Sequence, residues 1–383
     1  MRKKILIITT GWFPEGDAGA IRLKNVGKAL IAGGYEVTVL CRGKLNDQDT
    51  IDGIKYISLR NLSGNKLIAG FDYLRFPGKI KRYIDKNIRS IDGIYIYNAH
   101  IKVFEYCKAI CKKNNIVLIH DCVEWYSPEN CPSGEKSRSY KEKNRINTEI
   151  LDTSFRIIAI SKYLEEYFSS KGIKTLRIPI LCDSKERLHP KQKNGERLTL
   201  FYGGFPARKD NIGNILNAAL LLTEQERSKL KIVWVGPTKR ELIEVAGISE
   251  ETLSRCSSIL EVKGKLPRKE LLSLMEEADF ALLIRDASLR YAKAGFPSKV
   301  VEALANATPM LCNLSSDLDE YLVDGYNAIL AKDHTPEELA VALRRALLLS
   351  PQEKNQMSVQ ALKTAKDRFD YHEYVDELCG FIG

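Results

Sequence analysis

Residues 279–313 read DFALLIRDASLRYAKAGFPSKVVEALANATPMLCN. "DFALLI" (279–284) is a short apolar run, as expected of a strand buried on both faces. A polar loop holding Asp286, Arg290, Tyr291 and Lys293 follows. "SKVVEALANA" (298–307) then reads as a short apolar helix, and "PMLCN" (309–313) as the next strand. Gly295 leaves room for a ligand, and Pro297 suits the first helical turn. One carboxylate, Glu302, stands inside the apolar helix. Burying it without partners would be costly. Two adjacent hydroxyls of a ribose could satisfy it; so could Lys299, one turn away on an exposed face.

The same alternation runs outward in both directions. Upstream, "KKILIITT", "YEVTVLC", "GIYIYNAH", "NIVLIHDC", "RIIAIS" and "TLRIPIL" read as strands, with "AIRLKNVGKALIAGG", "IKVFEYCKAICKKN" and "KYLEEYFSSKG" as helices. Residues 182–197 break the pattern with a polar, charged linker. A second series follows: strands "LTLFYGG", "LKIVWVG", "DFALLI" and "PMLCN", and helices that include "SDLDEYLVDG" (316–325). Thr335, Pro336 and Glu338 form a capping-box signature, and Ser350, Pro351 and Glu353 another. The expected fold class is therefore α/β: two Rossmann-like, doubly wound domains facing a cleft, with ligands beyond the carboxyl ends of the strands.

The chain has 383 residues, 44% apolar and 28% charged, enough for two cores. No apolar run reaches the roughly 20 residues of a membrane-spanning helix. Its nine cysteines contain no CxxC pair and its five histidines no HExxH, so reduced thiols in a cytoplasmic protein are expected, and no metal site. Residues 1–200 carry 36 Lys+Arg against 22 Asp+Glu and hold the whole basic excess of +10. That fits an anionic partner or a merely solvated basic surface. Residues 74–90, "LRFPGKIKRYIDKNIRS", could lie on an anionic membrane or simply form a solvated helix. Nothing matches a nucleic-acid-binding motif.

Two further loops invite phosphate. "GWFPEGDAGAIRLKN" feeds Gly16, Asp17 and Gly19 into a helix start, a natural anion seat, with Arg22 and Asn25 on its first turns. "YGGFPARKDN" sets Gly203 and Gly204 before Arg208 and Lys209. The GxGxxG and P-loop fingerprints are absent.

In this order, the features resemble the retaining glycosyltransferases of family 4, which have the GT-B fold. "RLKNVGKALIAGGYEVTVL", "IIAISKYLEEYFSSKGIKTLRIPI", "LFYGGFPARKDN", "AGFPSKVVEALANATPML" and "DEYLVDGYNAIL" are similar to successive segments of that family. The resemblance implies an acceptor-side Rossmann-like domain over 1–185 and a donor-binding domain over 186–365. The last helix, about 366–383, would pack back on the first. It implies transfer of a sugar from a nucleotide diphosphate sugar, a UDP-sugar before a GDP-sugar, with retention of anomeric configuration. The acceptor would be a glycan or lipid-linked molecule in surface-polysaccharide assembly. The donor is a substrate; no cofactor and no metal are implied, because lysine, arginine and helix N-termini stabilise the leaving diphosphate. The setting would be cytoplasmic, with residues 74–90 reaching the inner face of a membrane.

By the same resemblance Glu302 grips the ribose. Lys209 and Arg208 neutralise the diphosphate, with Gly203 and Gly204 in their loop. The backbone of Gly295, Phe296, Pro297 and Ser298, with Lys299, meets the donor, and Gly19 lies near its phosphates. His120 is the catalytic candidate on the acceptor side, accompanied by Arg22, His100, Asp121 and Glu124. Two positions depart from the pattern. The family's first acid falls at Ala294, and its usual phosphate-loop arginine at Gly204, leaving that task to Arg208, Arg290 or Lys299. These departures keep two alternatives open: a GT-B nucleotide-sugar epimerase, and a catalytically silent GT-B subunit that supports a partner enzyme.

Overall fold

A computed structural model describes residues 2–43, 48–60, 66–131, 133–184, 196–206 and 209–383, with Arg60 and residues 66–74 described in backbone only. The chain divides into two units. Unit 1 comprises Met1–Cys182 and Asp370–Gly383, and unit 2 comprises Asp183–Phe369.

Unit 1 is built on strands β1 (Lys4–Trp12), β2 (Glu36–Arg42), β3 (Gln48–Ile51), β4 (Ile54–Arg60), β5 (Gly93–Tyr97), β6 (Val117–Cys122), β7 (Arg156–Ala159) and β8 (Lys174–Arg177). They lie in the order β3-β4-β2-β1-β5-β6-β7-β8. All neighbours are parallel except the β3–β4 hairpin. Ile5, Ile7, Val37, Val39, Ile119 and Ile158 fill the sheet's core against Leu23, Val26 and Leu30 of the helix Ala18–Ala32. Leu378, Phe381 and Ile382 of the helix Val375–Ile382 complete that core. This last helix fits so closely that a Cβ on Gly33 would stand 2.1 Å from Cys379 Sγ.

Unit 2 holds β9 (Leu198–Gly203), β10 (Leu230–Val235), β11 (Leu260–Gly264), β12 (Phe280–Leu283), β13 (Met310–Asn313) and β14 (Ala328–Ala331), all parallel, in the order β11-β10-β9-β12-β13-β14. In each sheet the chain reverses its direction of winding once, between β1 and β5 and between β9 and β12. Such reversals open a crevice at the carboxyl edge, where open α/β sheets bind ligands.

Three local expectations change. Residues 316–325 form only a 3-10 turn, Leu318–Glu320. Asn327 intervenes, accepting from Val323 N–H at 2.8 Å and donating to the Tyr321 carbonyl at 2.9 Å, groups a continuing helix would have paired. Thr335 does not cap with its side chain, because its hydroxyl donates to Asp333 at 2.5 Å. Residues 74–90 are helical up to Asn87, continuing as a 3-10 turn over Ile88–Ser90. Phe76, Ile80 and Ile84 are buried within the unit, so the exposed face offers a membrane basic side chains rather than apolar ones. Among the described residues no helix is long and apolar enough to cross a membrane.

Candidate functional site

The reversal point of unit 2 gathers most of the donor-side candidates. β9 ends in Gly203 and Gly204. Gly204 has φ +113°, and its N–H donates to the Val235 carbonyl at 2.8 Å. Gly236 lies across from it at φ +122°, so close that a Cβ there would be 2.7 Å from the Gly204 carbonyl oxygen. A side chain at Gly204 would be strained at that φ, and its Cβ would sit 3.0 Å from Lys299 Cε. Lys299 thus fills the space over the position where the family pattern has arginine.

Lys299 does not pair with Glu302. Its Nζ donates to Asp210 Oδ2 at 2.6 Å, while Arg285 Nε donates to Asp210 Oδ1 at 2.8 Å and the Tyr202 hydroxyl to Oδ2 at 2.8 Å. Asn313 clamps the Arg285 backbone on both sides, at 3.0 and 2.8 Å. Burial by itself would raise the Asp210 carboxyl's pKa; Arg285 and Lys299 outweigh it and hold the group well below the usual carboxylate range. One carboxylate shared by two cations leaves a surplus positive charge beside a glycine loop. Asp210 and Arg285 were not singled out from the sequence. Their pairing spans 75 residues and carries no local signal.

Glu302 lies one turn into the helix Ser298–Ala305. Its Oε1 is enclosed and makes no aligned hydrogen bond among the described residues, although Arg268 NH1 stands 2.7 Å away. The helix start has no side-chain cap, and the N–H groups of Phe296, Ser298 and Lys299 have no partner among the described residues. Exposed first-turn N–H groups favour anions. The Phe296 ring turns away into a cluster with Tyr321 and Phe369, so only its backbone faces this edge. Gly295 N–H donates to the Tyr291 carbonyl at 3.0 Å, and the Tyr291 hydroxyl donates to the Lys209 carbonyl. Ala294 is fully buried. Arg208 lies outside the described residues.

Unit 1 corrects four of its candidates. Arg22 and Asp121 form a buried bidentate pair, at 2.8 and 2.7 Å. Arg22 also donates to the Pro179 and Ile178 carbonyls at 2.7 and 3.2 Å, and Tyr95 donates to Asp121 at 2.7 Å. Both side chains are 1% exposed or less; they tie the helix Ala18–Ala32 to β6 and to the segment after β8. His120 is equally enclosed. Its Nδ1 lies 3.0 Å from the Ile96 carbonyl, its Nε2 has no partner among the described residues, and Phe104 packs edge-on against it. Burial, helped by the charge of Lys143, lowers its pKa to about 3, so it is a neutral core histidine rather than a solvent-facing catalyst. The N–H of Gly19 donates to the Asp17 carboxylate at 2.9 Å, which occupies the proposed anion seat. Tyr97 closes over it: a Cβ on Gly19 would be 2.7 Å from its hydroxyl.

His100 and Glu124 do come together. With Thr10, Asn98, Glu142 and Lys143 they line a cavity of about 140 Å³ at the carboxyl edge of β1, β5 and β6, the reversal point of unit 1. His100 Nδ1 caps the helix Ile101–Asn114 by accepting from Lys102 N–H at 3.2 Å.

The fold is similar to that of several solved structures. Sucrose-phosphate synthase from Thermosynechococcus elongatus superposes with a TM-score of 0.75 at 17% identity, over 98% of this chain and 97% of that one. Anabaena HepE, solved with UDP and glucose, gives 0.69 at 15% identity over 99% of each. Residues 184–364, nearly all of unit 2, match the family of glycosyl transferases group 1. An uncharacterized glycosyltransferase of Methanocaldococcus jannaschii is 24% identical over 291 residues, 74% of this chain and 73% of that protein.

Proposed function

We propose that this chain is a retaining, metal-independent glycosyltransferase that takes a sugar from a nucleotide diphosphate sugar, UDP-linked before GDP-linked. Its acceptor is a glycan or lipid-linked molecule of surface-polysaccharide assembly. The observation that carries the reading is the constellation at the reversal point of unit 2, inside the segment that matches the family. A half-buried carboxylate is paired only with the exposed Arg268 among the described residues, a helix start lacks a cap, and a surplus cation lies beside a left-handed glycine. These are the groups a nucleoside diphosphate needs. The vicinal ribose hydroxyls donate to Glu302. The phosphate oxygens accept from the first-turn N–H groups and from Lys299, with Lys209 adjacent in the β9 loop. As the glycosidic bond breaks, charge gathers on the diphosphate, and donors already aimed at it stabilise that charge without reorganising. The basic first half suits an anionic acceptor or membrane surface.

One observation favours the silent-subunit alternative: Ala294 is fully buried, so no acid reaches a donor sugar from that position. Calorimetric titration with UDP and GDP, with and without their sugars, tests the reading. One nucleotide is expected to bind, and Glu302→Ala to weaken it by about 1.5–3 kcal/mol, tenfold or more. Loss of all nucleotide binding in the wild-type chain would overturn the proposal; binding without sugar transfer or hydrolysis would select the silent subunit.

A further inference from the structure

The cavity of unit 1 contains a charge that the donor side does not use. Lys143, on the helix Arg138–Arg145, is 8% exposed and lines the cavity. Its ammonium has no hydrogen bond or ion pair among the described residues. The two carboxylates nearby are engaged elsewhere. Glu142 Oε1 accepts from Ile101 N–H at 2.8 Å and lies 3.7 Å from His100 Nε2. Glu124 accepts from the Tyr126 hydroxyl at 2.5 Å. A largely buried ammonium without a direct ion pair is costly, and it is stabilised when an anion enters beside it.

The rest of the wall suits a sugar. Thr10 and Asn98 are linked at 2.6 Å, with the Thr10 hydroxyl donating to the Asn98 carbonyl. Ser139 stands exposed at the rim. Donors and acceptors both line the cavity, which fits hydroxyl groups better than a wholly apolar ligand. A single water needs roughly 10–15 Å³ of such space, so about 140 Å³ admits a sugar ring.

We propose that this cavity is an acceptor subsite selective for a sugar bearing an anionic group, a carboxylate or a phosphate, and that Lys143 is its specificity-determining residue. That the ligand is an acceptor rests on the glycosyltransferase reading; the selection for negative charge rests on unit 1 alone. Lys143 holds the anionic oxygen, while Asn98 and Thr10 orient the ring.

Ligand-observed NMR on the full chain tests this with D-glucuronate, D-glucose 6-phosphate and D-glucose. At least one anionic sugar is expected to bind at least tenfold more tightly than glucose, the scale of one charge-assisted hydrogen bond; which one binds identifies the group. Lys143→Gln abolishes the preference and Lys143→Arg keeps it. Ser139→Glu, which adds a carboxylate at the rim without touching the buried lysine, lowers anion affinity and spares glucose, should Lys143→Gln not fold. Equal binding of all three sugars, no binding of any, or a preference that survives Lys143→Gln, overturns the proposal. UDP binding, titrated on the same samples, is unchanged by these variants. An anion preference in a chain that binds no nucleotide would keep this site and remove the enzyme.

Discussion

Replacing Arg22 by Met separates a structural from a functional role for the Arg22–Asp121 pair. The substitution removes two hydrogen bonds to the carboxylate, at 2.8 and 2.7 Å, and two to backbone carbonyls. Among the described residues, Asp121 is left fully buried with only the Tyr95 hydroxyl. Breaking a buried pair in this way costs about 3–5 kcal/mol. Removing both partners, in Arg22→Met with Asp121→Leu, costs much less, because no charge is then stranded. Native-state hydrogen exchange reads the two units separately. In Arg22→Met the amides of β5 and β6 lose roughly the full 3–5 kcal/mol of protection, while those of β9 and β10 keep theirs. The double variant recovers most of the loss. If Arg22→Met left protection of β5 and β6 within about 1 kcal/mol of wild type, or if the double variant were worse than the single, the pair would not be the buried tie described.

Two further outcomes follow from particular side chains. His120 has a folded pKa of about 3 against about 6.5 unfolded. Below pH 6.5 the unfolded chain therefore binds the extra proton, and stability is lost as pH falls. The loss in unit 1 is about 2 kcal/mol at pH 5; denaturant melts of wild type and His120→Met at pH 7 and 5 measure it, and the variant's pH slope is shallower. Gly33→Ala, whose Cβ would meet Cys379 Sγ at 2.1 Å, destabilises unit 1 by about 1–3 kcal/mol. Cys379→Ala in the same chain relieves most of that in thermal melts.

The layered fold was legible because its strands are apolar runs and its helices end at turn signals. "KILII" and "IYIY" could hardly be anything but buried strands. The β3–β4 hairpin was not read, although Asp52-Gly53 carries the turn signature. Both residues adopt positive φ, as a tight hairpin turn demands. In unit 2, Gly204 and Lys299 do meet, with Glu302 one turn along the same helix. Asp210, Arg285 and Arg268, which decide where those side chains point, come from distant loops. His120 shows why strand-end residues mislead. β6 is buried along almost its whole length, so alternation does not distinguish an inward histidine from one facing a ligand. The importance of Lys143 is equally silent in sequence: it sits among exposed charges in "SYKEKNR", and only the fold buries it.

The return of Asp370–Gly383 to unit 1 places the whole of unit 2 between two parts of unit 1 in chain order. Strand β1 is made long before the helix Val375–Ile382, and the apolar surface that it shares with Leu378, Phe381 and Ile382 stays open until those residues are synthesised. Domains ordinarily fold in the order in which they leave the ribosome. Here unit 2 can finish before unit 1, whose sheet waits for a helix translated after the whole of its neighbour.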